Sequence, residues 1–323
     1  MSTQEQELSA DQPRLIHFPI SFFAVVMGLS GLTLAWKSAG SSFAPGLYLL
    51  FGTLASLAMV IICGIYFLKV VKHPKAVISE TRHPIRLNFF PAFSISLLLL
   101  SAVWDSSPAW SYALWFVGAI VQVSLTVYVM SSWIHHTHYT LAHANPSWFI
   151  PVVGNIIVPI TGSHLGYTEI SWFCFSIGIV FWVILLTIVM YRLFFHEPLP
   201  ARMTPMLFIL LAPPSVGFVS YTNLTGELDT FARLLYYIAL FLSILLISNA
   251  GRFMKVPFFI SSWAYSFPMA AITIATAKMK GFVPSAFFNV LSGVFLILVT
   301  VILTWLVVRT VKAIIRKEIC LPE

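Results

Sequence analysis

The apolar residues of this chain come in runs too long for the helices of a soluble domain. Ten such runs read along the sequence, at 15–36, 44–68, 87–104, 109–134, 147–165, 170–191, 204–221, 232–250, 257–277 and 284–308. A helix needs about 20 residues to cross about 30 Å of hydrocarbon. Inside lipid, each backbone N–H and C=O must find its partner within the protein, so a single apolar segment can cross only as a helix. The runs therefore predict an all-α integral membrane protein with ten transmembrane helices. The chain divides into a polar tail at 1–14, a membrane domain at 15–308 and a basic tail at 309–323. Only 9% of its residues are charged, against roughly 25% in a soluble domain. The fifth and seventh spans are the weakest, being short and interrupted by Pro151, Pro159, Pro213 and Pro214.

Met1 to Gln12 is polar and acidic and has no basic leader, so the first run is expected to remain as a helix. Cys63, Cys174 and Cys320 are widely spaced and predict neither a disulfide framework nor a structural zinc site. The net charge of +7 does not point to nucleic acid, because every Lys and Arg sits at or beyond the end of an apolar run. With ten spans, one face collects 14 of the 18 basic residues, and the other holds Lys37, Arg233, Lys278 and Lys280. That bias predicts both termini in the cytoplasm. Trp36, Trp104 and Trp110 on one side, and Trp133 and Trp148 on the other, suit interfacial aromatic belts.

Each odd-numbered span carries an interior proline: Pro19, Pro91, Pro151, Pro213 and Pro268. The even spans have none. Successive prolines lie 72, 60, 62 and 55 residues apart, the spacing of one helical hairpin per repeat. Five hairpins in series follow, as in other transport proteins built from repeats. Proline removes a backbone donor and frees the carbonyl four residues back. Lipid cannot satisfy that carbonyl. The odd helices are therefore expected to form an inner ring around a pore, and the smooth even helices an outer ring facing lipid. Pro268 lies eleven residues into its span, roughly 17 Å deep at 1.5 Å per residue.

No Asp, Glu, Lys or Arg falls in the middle of any span. Proton-coupled pumps usually need such a group. The expected pore is thus neutral, with Ser21, Ser94, Asn155, Ser215 and Ser266 among its sparse polar groups. Phe90 and Phe267 each precede a proline, which pushes them off helical geometry. Phe267 projects from a break near the membrane centre, where a bulky ring blocks ions by size and by dewetting. The competing reading is an ordinary packed aromatic. Gly28 and Gly31 have a competing reading too, as packing glycines.

Three stretches carry a family resemblance. They are Phe18-Pro19 through Met27-Gly28-Leu29-Ser30-Gly31-Leu32, Phe89-Phe90-Pro91 with Ser94, and Trp263-Ala264-Tyr265-Ser266-Phe267-Pro268. The chain resembles the tellurite-resistance/dicarboxylate transporter family, which includes the slow anion channels of plant guard cells. The resemblance spans all ten runs. It implies five hairpins around a pore, a homotrimer, and a phenylalanine gate at Phe267, with Gly28 as the small residue of the first helix and Gly31 a close competitor.

Together these readings predict a channel for small inorganic anions, embedded in lipid in a bacterial inner membrane. A secondary carrier for C4-dicarboxylates, or for tellurite and related toxic anions, is the rival. It would be expected to hold its substrate with a mid-depth Arg or Lys. His135, His136, His138 and His143 cluster after the fourth span but read as a solvated interfacial segment, not a metal site. No catalytic constellation stands out, and neither a cofactor nor a metal is expected.

Overall fold

The computed structural model describes residues 14–40, 44, 46–136 and 139–321. Among these, every regular element is a helix. In chain order the α-helices used below are α1 (Phe23–Ala35), α2 (Leu47–Lys72), α3 (Pro74–Arg82), α4 (Ala92–Val103), α5 (Pro108–His135), α6 (Phe149–Val153), α7 (Val158–Gly162), α8 (Thr168–Phe195), α9 (Ala212–Thr225), α10 (Thr230–Ser248), α11 (Ser266–Phe282) and α12 (Ala286–Ile315). Most of the polar N-terminal tail lies outside the described residues.

Eight helices among the described residues are long and apolar enough to cross a membrane. This is a multi-pass membrane protein. Two of the ten expected spans fall short of that standard. The fifth is the 17-residue segment Pro146–Gly162, too short by itself. The ninth, Ile260–Phe282, is diluted by Ser261, Ser262, Ser266, Thr273, Thr276, Lys278 and Lys280. The seventh, expected to be weak, meets the standard as Ala201–Thr225 because a further helical stretch extends it toward its N-terminus.

The two kinds of helix differ in local structure. The helices α2, α5, α8, α10 and α12 are uninterrupted. Apart from the short α3, the others start in a tighter 3-10 coil: Ile20–Phe22 leads into α1, Arg86–Phe89 into α4, Pro146–Trp148 into α6, Gly154–Ile157 into α7, Ala201–Leu211 into α9 and Ile260–Tyr265 into α11. Proline is the cause in three cases where the bonds are resolved. Pro91, Pro159 and Pro213 cannot donate to the carbonyls of Leu87, Asn155 and Ile209, four residues back. Those carbonyls accept instead from the N–H three residues on, of Phe90, Val158 and Ala212. That is the 3-10 pattern. The freed carbonyls expected from sequence are thus recovered within the same helix.

Burial separates the same two kinds. The most apolar windows of Ile20–Ala39, Arg86–Val103 and Ala201–Thr225 are 61%, 83% and 72% buried, whereas those of the five uninterrupted helices are 22–39% buried. Exposed Val60, Phe67, Ile134, Val183, Phe241 and Ile297 lie on the uninterrupted helices, where lipid is the natural solvent. The broken helices touch in a closed cycle: α1 meets α4, α4 meets α7, α7 meets α9, α9 meets α11 and α11 returns to α1. Each also packs on the uninterrupted helix that follows it.

A buried charge cluster ties down the start of α1. The Lys69 ammonium, in the last turn of α2, donates to the Phe18 carbonyl at 2.8 Å and pairs with Glu80 of α3 at 2.9 Å. The Tyr66 hydroxyl donates to the second Glu80 oxygen at 2.8 Å.

Candidate functional site

Three cavities lie inside the cycle of broken helices, and residues of all five line each one. The first, about 60 Å³, is bounded by the N-terminal halves, with Ser21, Ala24, Phe89, Ile150 and Met206 in its wall. The second, about 50 Å³, is lined by Met27, Ile95, Val153, Ile209 and Pro213. The third is much larger, about 660 Å³, and is walled by Leu34, Leu99, Thr161, Val216 and Ala271. Phe267 is the one residue common to all three. The residue is 8% exposed.

The backbone around Phe267 explains how it gets there. The coil Ile260–Tyr265 gives way to α11 at Ser266, one residue earlier. Pro268 then sits in the first turn of α11. Gly31 of α1 faces the ring. A Cβ built there would stand 3.3 Å from Phe267 Cδ2 and 2.8 Å from Ala270 Cβ. Gly28, one turn earlier, faces Ser266, and a Cβ there would lie 2.4 Å from its Oγ. Both glycines therefore permit the close approach of α1 to α11, and Gly31 is the one against the ring.

The two inner cavities are apolar. The serines and the asparagine expected to line a pore are mostly committed elsewhere. Ser94 donates to the Pro91 carbonyl at 2.9 Å and to Gln122 Oε1 at 2.7 Å. Ser215 donates to the Leu211 carbonyl at 2.7 Å, and Ser266 to the Trp263 carbonyl at 2.6 Å. Asn155 donates to Thr126 and to the Val152 carbonyl, both at 2.8 Å. Ser21 alone of that set borders one of these cavities. Phe90 packs edge-on against Tyr66, and its neighbour Phe89 takes the place on the cavity wall.

Sequence reasoning missed Gln122 and Thr126, which reach inward from the middle of α5. Gln122 Nε2 and Thr126 Oγ1 both donate to the Pro151 carbonyl, at 2.9 and 2.7 Å. Trp115 Nε1 donates to the Val158 carbonyl at 2.9 Å, and Ser220 Oγ to that of Ile156. This side-chain lattice holds the short, doubly broken fifth segment in place. A buried amide in the centre of an otherwise apolar run was the available signal for it.

The family model for the voltage-dependent anion channel (SLAC1) matches residues 17–311, a range that includes every cavity-lining segment. The chain belongs to this family. Within the SLAC1 family it is similar to the S-type anion channel SLAH3 of Arabidopsis thaliana, 30% identical over 93% of this chain and 49% of the relative. It is also similar to the guard cell S-type anion channel SLAC1 of the same plant, 30% identical over 84% of this chain and 51% of the relative. The chain thus spans about half the length of these plant relatives. A tellurite resistance protein TehA homolog of Haemophilus influenzae is 24% identical over 85% of this chain and 84% of its own.

His135, His136 and His143 line none of these three cavities. His135 and His136 bond to the Ser131 and Ser132 carbonyls at 2.9 and 3.0 Å, and His143 accepts from the Thr140 N–H at 3.2 Å. His138 lies outside the described residues. Among the described residues, no three His, Cys, Asp or Glu side chains come together as a metal site would require.

Proposed function

We propose that this chain is an anion channel that passes small monovalent anions along the axis of its five broken helices, closed at Phe267. The observation that carries the reading is the row of three cavities, each walled by all five broken helices and all sharing that one ring. The two small cavities lack charged walls. Selection there falls to width and dehydration cost, which suits a passive monovalent pore. In this reading the protein is five helical hairpins in a bacterial inner membrane, with ten spans and both termini cytoplasmic. It assembles as a homotrimer through the lipid-side helices.

The reading is tested by flux from liposomes loaded with different anions. Phe267→Ala protein should release nitrate, bromide and iodide at least as fast as chloride, in the order of falling dehydration cost. Strong preference for a C4-dicarboxylate over chloride contradicts it and favours the carrier. The relative named for tellurite resistance makes that carrier worth testing. No lysine or arginine borders the inner cavities to hold a divalent carboxylate. Topology supplies a second check. A reporter fused after Lys317 should be active in the cytoplasm, and an external C-terminus would require an odd number of crossings.

A further inference from the structure

The large cavity differs from the small ones in carrying charge at its far end. Lys37, three residues beyond Leu34 on the same face of the first broken helix, borders it and pairs with Asp105. Lys278 follows Phe267, Ala271 and Ile274, which line the cavity, at helical spacing on α11, and stands just behind its wall. It lies about 16 Å beyond Phe267 at 1.5 Å per residue. A lysine at a span end ordinarily snorkels outward to the headgroups. Lys278 does not. It is half-buried, and its ammonium donates to Asn223 Oδ1. Asn223 lines the cavity and is oriented by its own donation to the Ile160 carbonyl at 3.1 Å. Among the described residues no carboxylate pairs with Lys278. Of the ammonium groups of Lys37, in the wall, and Lys278, behind Asn223, only the first therefore has a carboxylate, that of Asp105.

We propose that this cavity is an anion-binding vestibule in which Lys278 holds a small inorganic anion while Asp105 occupies Lys37 as a tethered competitor. A half-buried ammonium whose partner among the described residues is a neutral amide leaves donor capacity and positive potential behind the Asn223 wall of a space large enough for a hydrated halide. In such a recess an opposite charge is screened far less than on an open surface. Asp105, more than half exposed, covers Lys37 and lowers the number of anions the vestibule takes. The site rests on the channel reading for its purpose but not for its detection.

The test is chloride binding to the full-length protein in nanodiscs, followed by chloride-35 NMR line broadening at constant ionic strength, with gluconate as the replacement ion. Wild type should broaden the line, and Lys278→Met should weaken binding by at least about tenfold, the loss of one close charge partner. Lys278→Arg should retain binding. Asp105→Asn should tighten it, a gain that misfolding cannot produce. Unchanged binding in Lys278→Met, or weaker binding in Asp105→Asn, overturns the proposal. Lys278-dependent binding in a protein that carries no current in any variant supports the vestibule and rejects the channel. Current without Lys278-dependent binding overturns the vestibule alone.

Discussion

Phe267→Ala should convert a silent protein into a conducting one. Phe267 lines a cavity of about 660 Å³ and two pockets of about 50 and 60 Å³. On the proposed reading, removing its ring should join them. An increase in conductance on the order of a hundredfold corresponds to lowering the barrier by ~3 kcal/mol. Truncating a fully packed core Phe costs about 3–5 kcal/mol of stability. Phe267 should cost less, because parts of its surface face cavities and not neighbours. A gate therefore gives large current with a small drop in thermal stability, and a packed core residue gives the reverse. Phe267→Leu should fall between wild type and alanine if ring volume is what blocks. Phe90→Ala is the control: Phe90 precedes a proline too, but it packs on Tyr66, off the cavity walls. Current from Phe90→Ala alone would move the gate to another helix.

Lys69→Met should be the most damaging single change to stability. Lys69 and Glu80 are 1% and 4% exposed. Taking one partner from a buried pair strands the other charge, at a cost of about 3–5 kcal/mol. The Phe18 carbonyl loses its donor as well. The double variant Lys69→Met, Glu80→Gln should recover much of that loss, because a neutral glutamine can still accept from Tyr66. Thermal unfolding of the three proteins in one detergent decides the matter. Equal destabilisation of the single and double variants would mean that packing, not stranded charge, sets the cost.

The division into broken and smooth helices was legible because proline writes it locally. Pro91, Pro159 and Pro213 each delete one donor, and the structure answers each deletion with a 3-10 bond to the same carbonyl. What proline could not announce was how that coil shifts the faces of the helix. A 3-10 segment turns every three residues, not every 3.6. The proline rule picked Phe90, whereas Phe89, the last residue of the 3-10 segment, lines the cavity. The serines misled for another reason. Ser94, Ser215 and Ser266 all bond to carbonyls three or four residues back, a local satisfaction that needs no pore. Gln122, by contrast, finds its partners on the third and fifth spans, and partners 28 and 29 residues away are visible only once the chain is folded. The charge bias counted Lys37 and Lys278 as topology. Only the fold brings Lys37 to the wall of a cavity and Lys278 to Asn223 in the same wall, since the two lysines lie on the first and ninth spans.

The central claim is that anions pass through this protein passively once Phe267 is removed. Its most direct test is the reversal potential of Phe267→Ala in a planar bilayer under a chloride gradient, measured with and without a pH gradient. A channel gives a reversal potential at the chloride equilibrium potential, unmoved by the pH gradient. A reversal potential that follows the pH gradient, or no current in any anion, contradicts it.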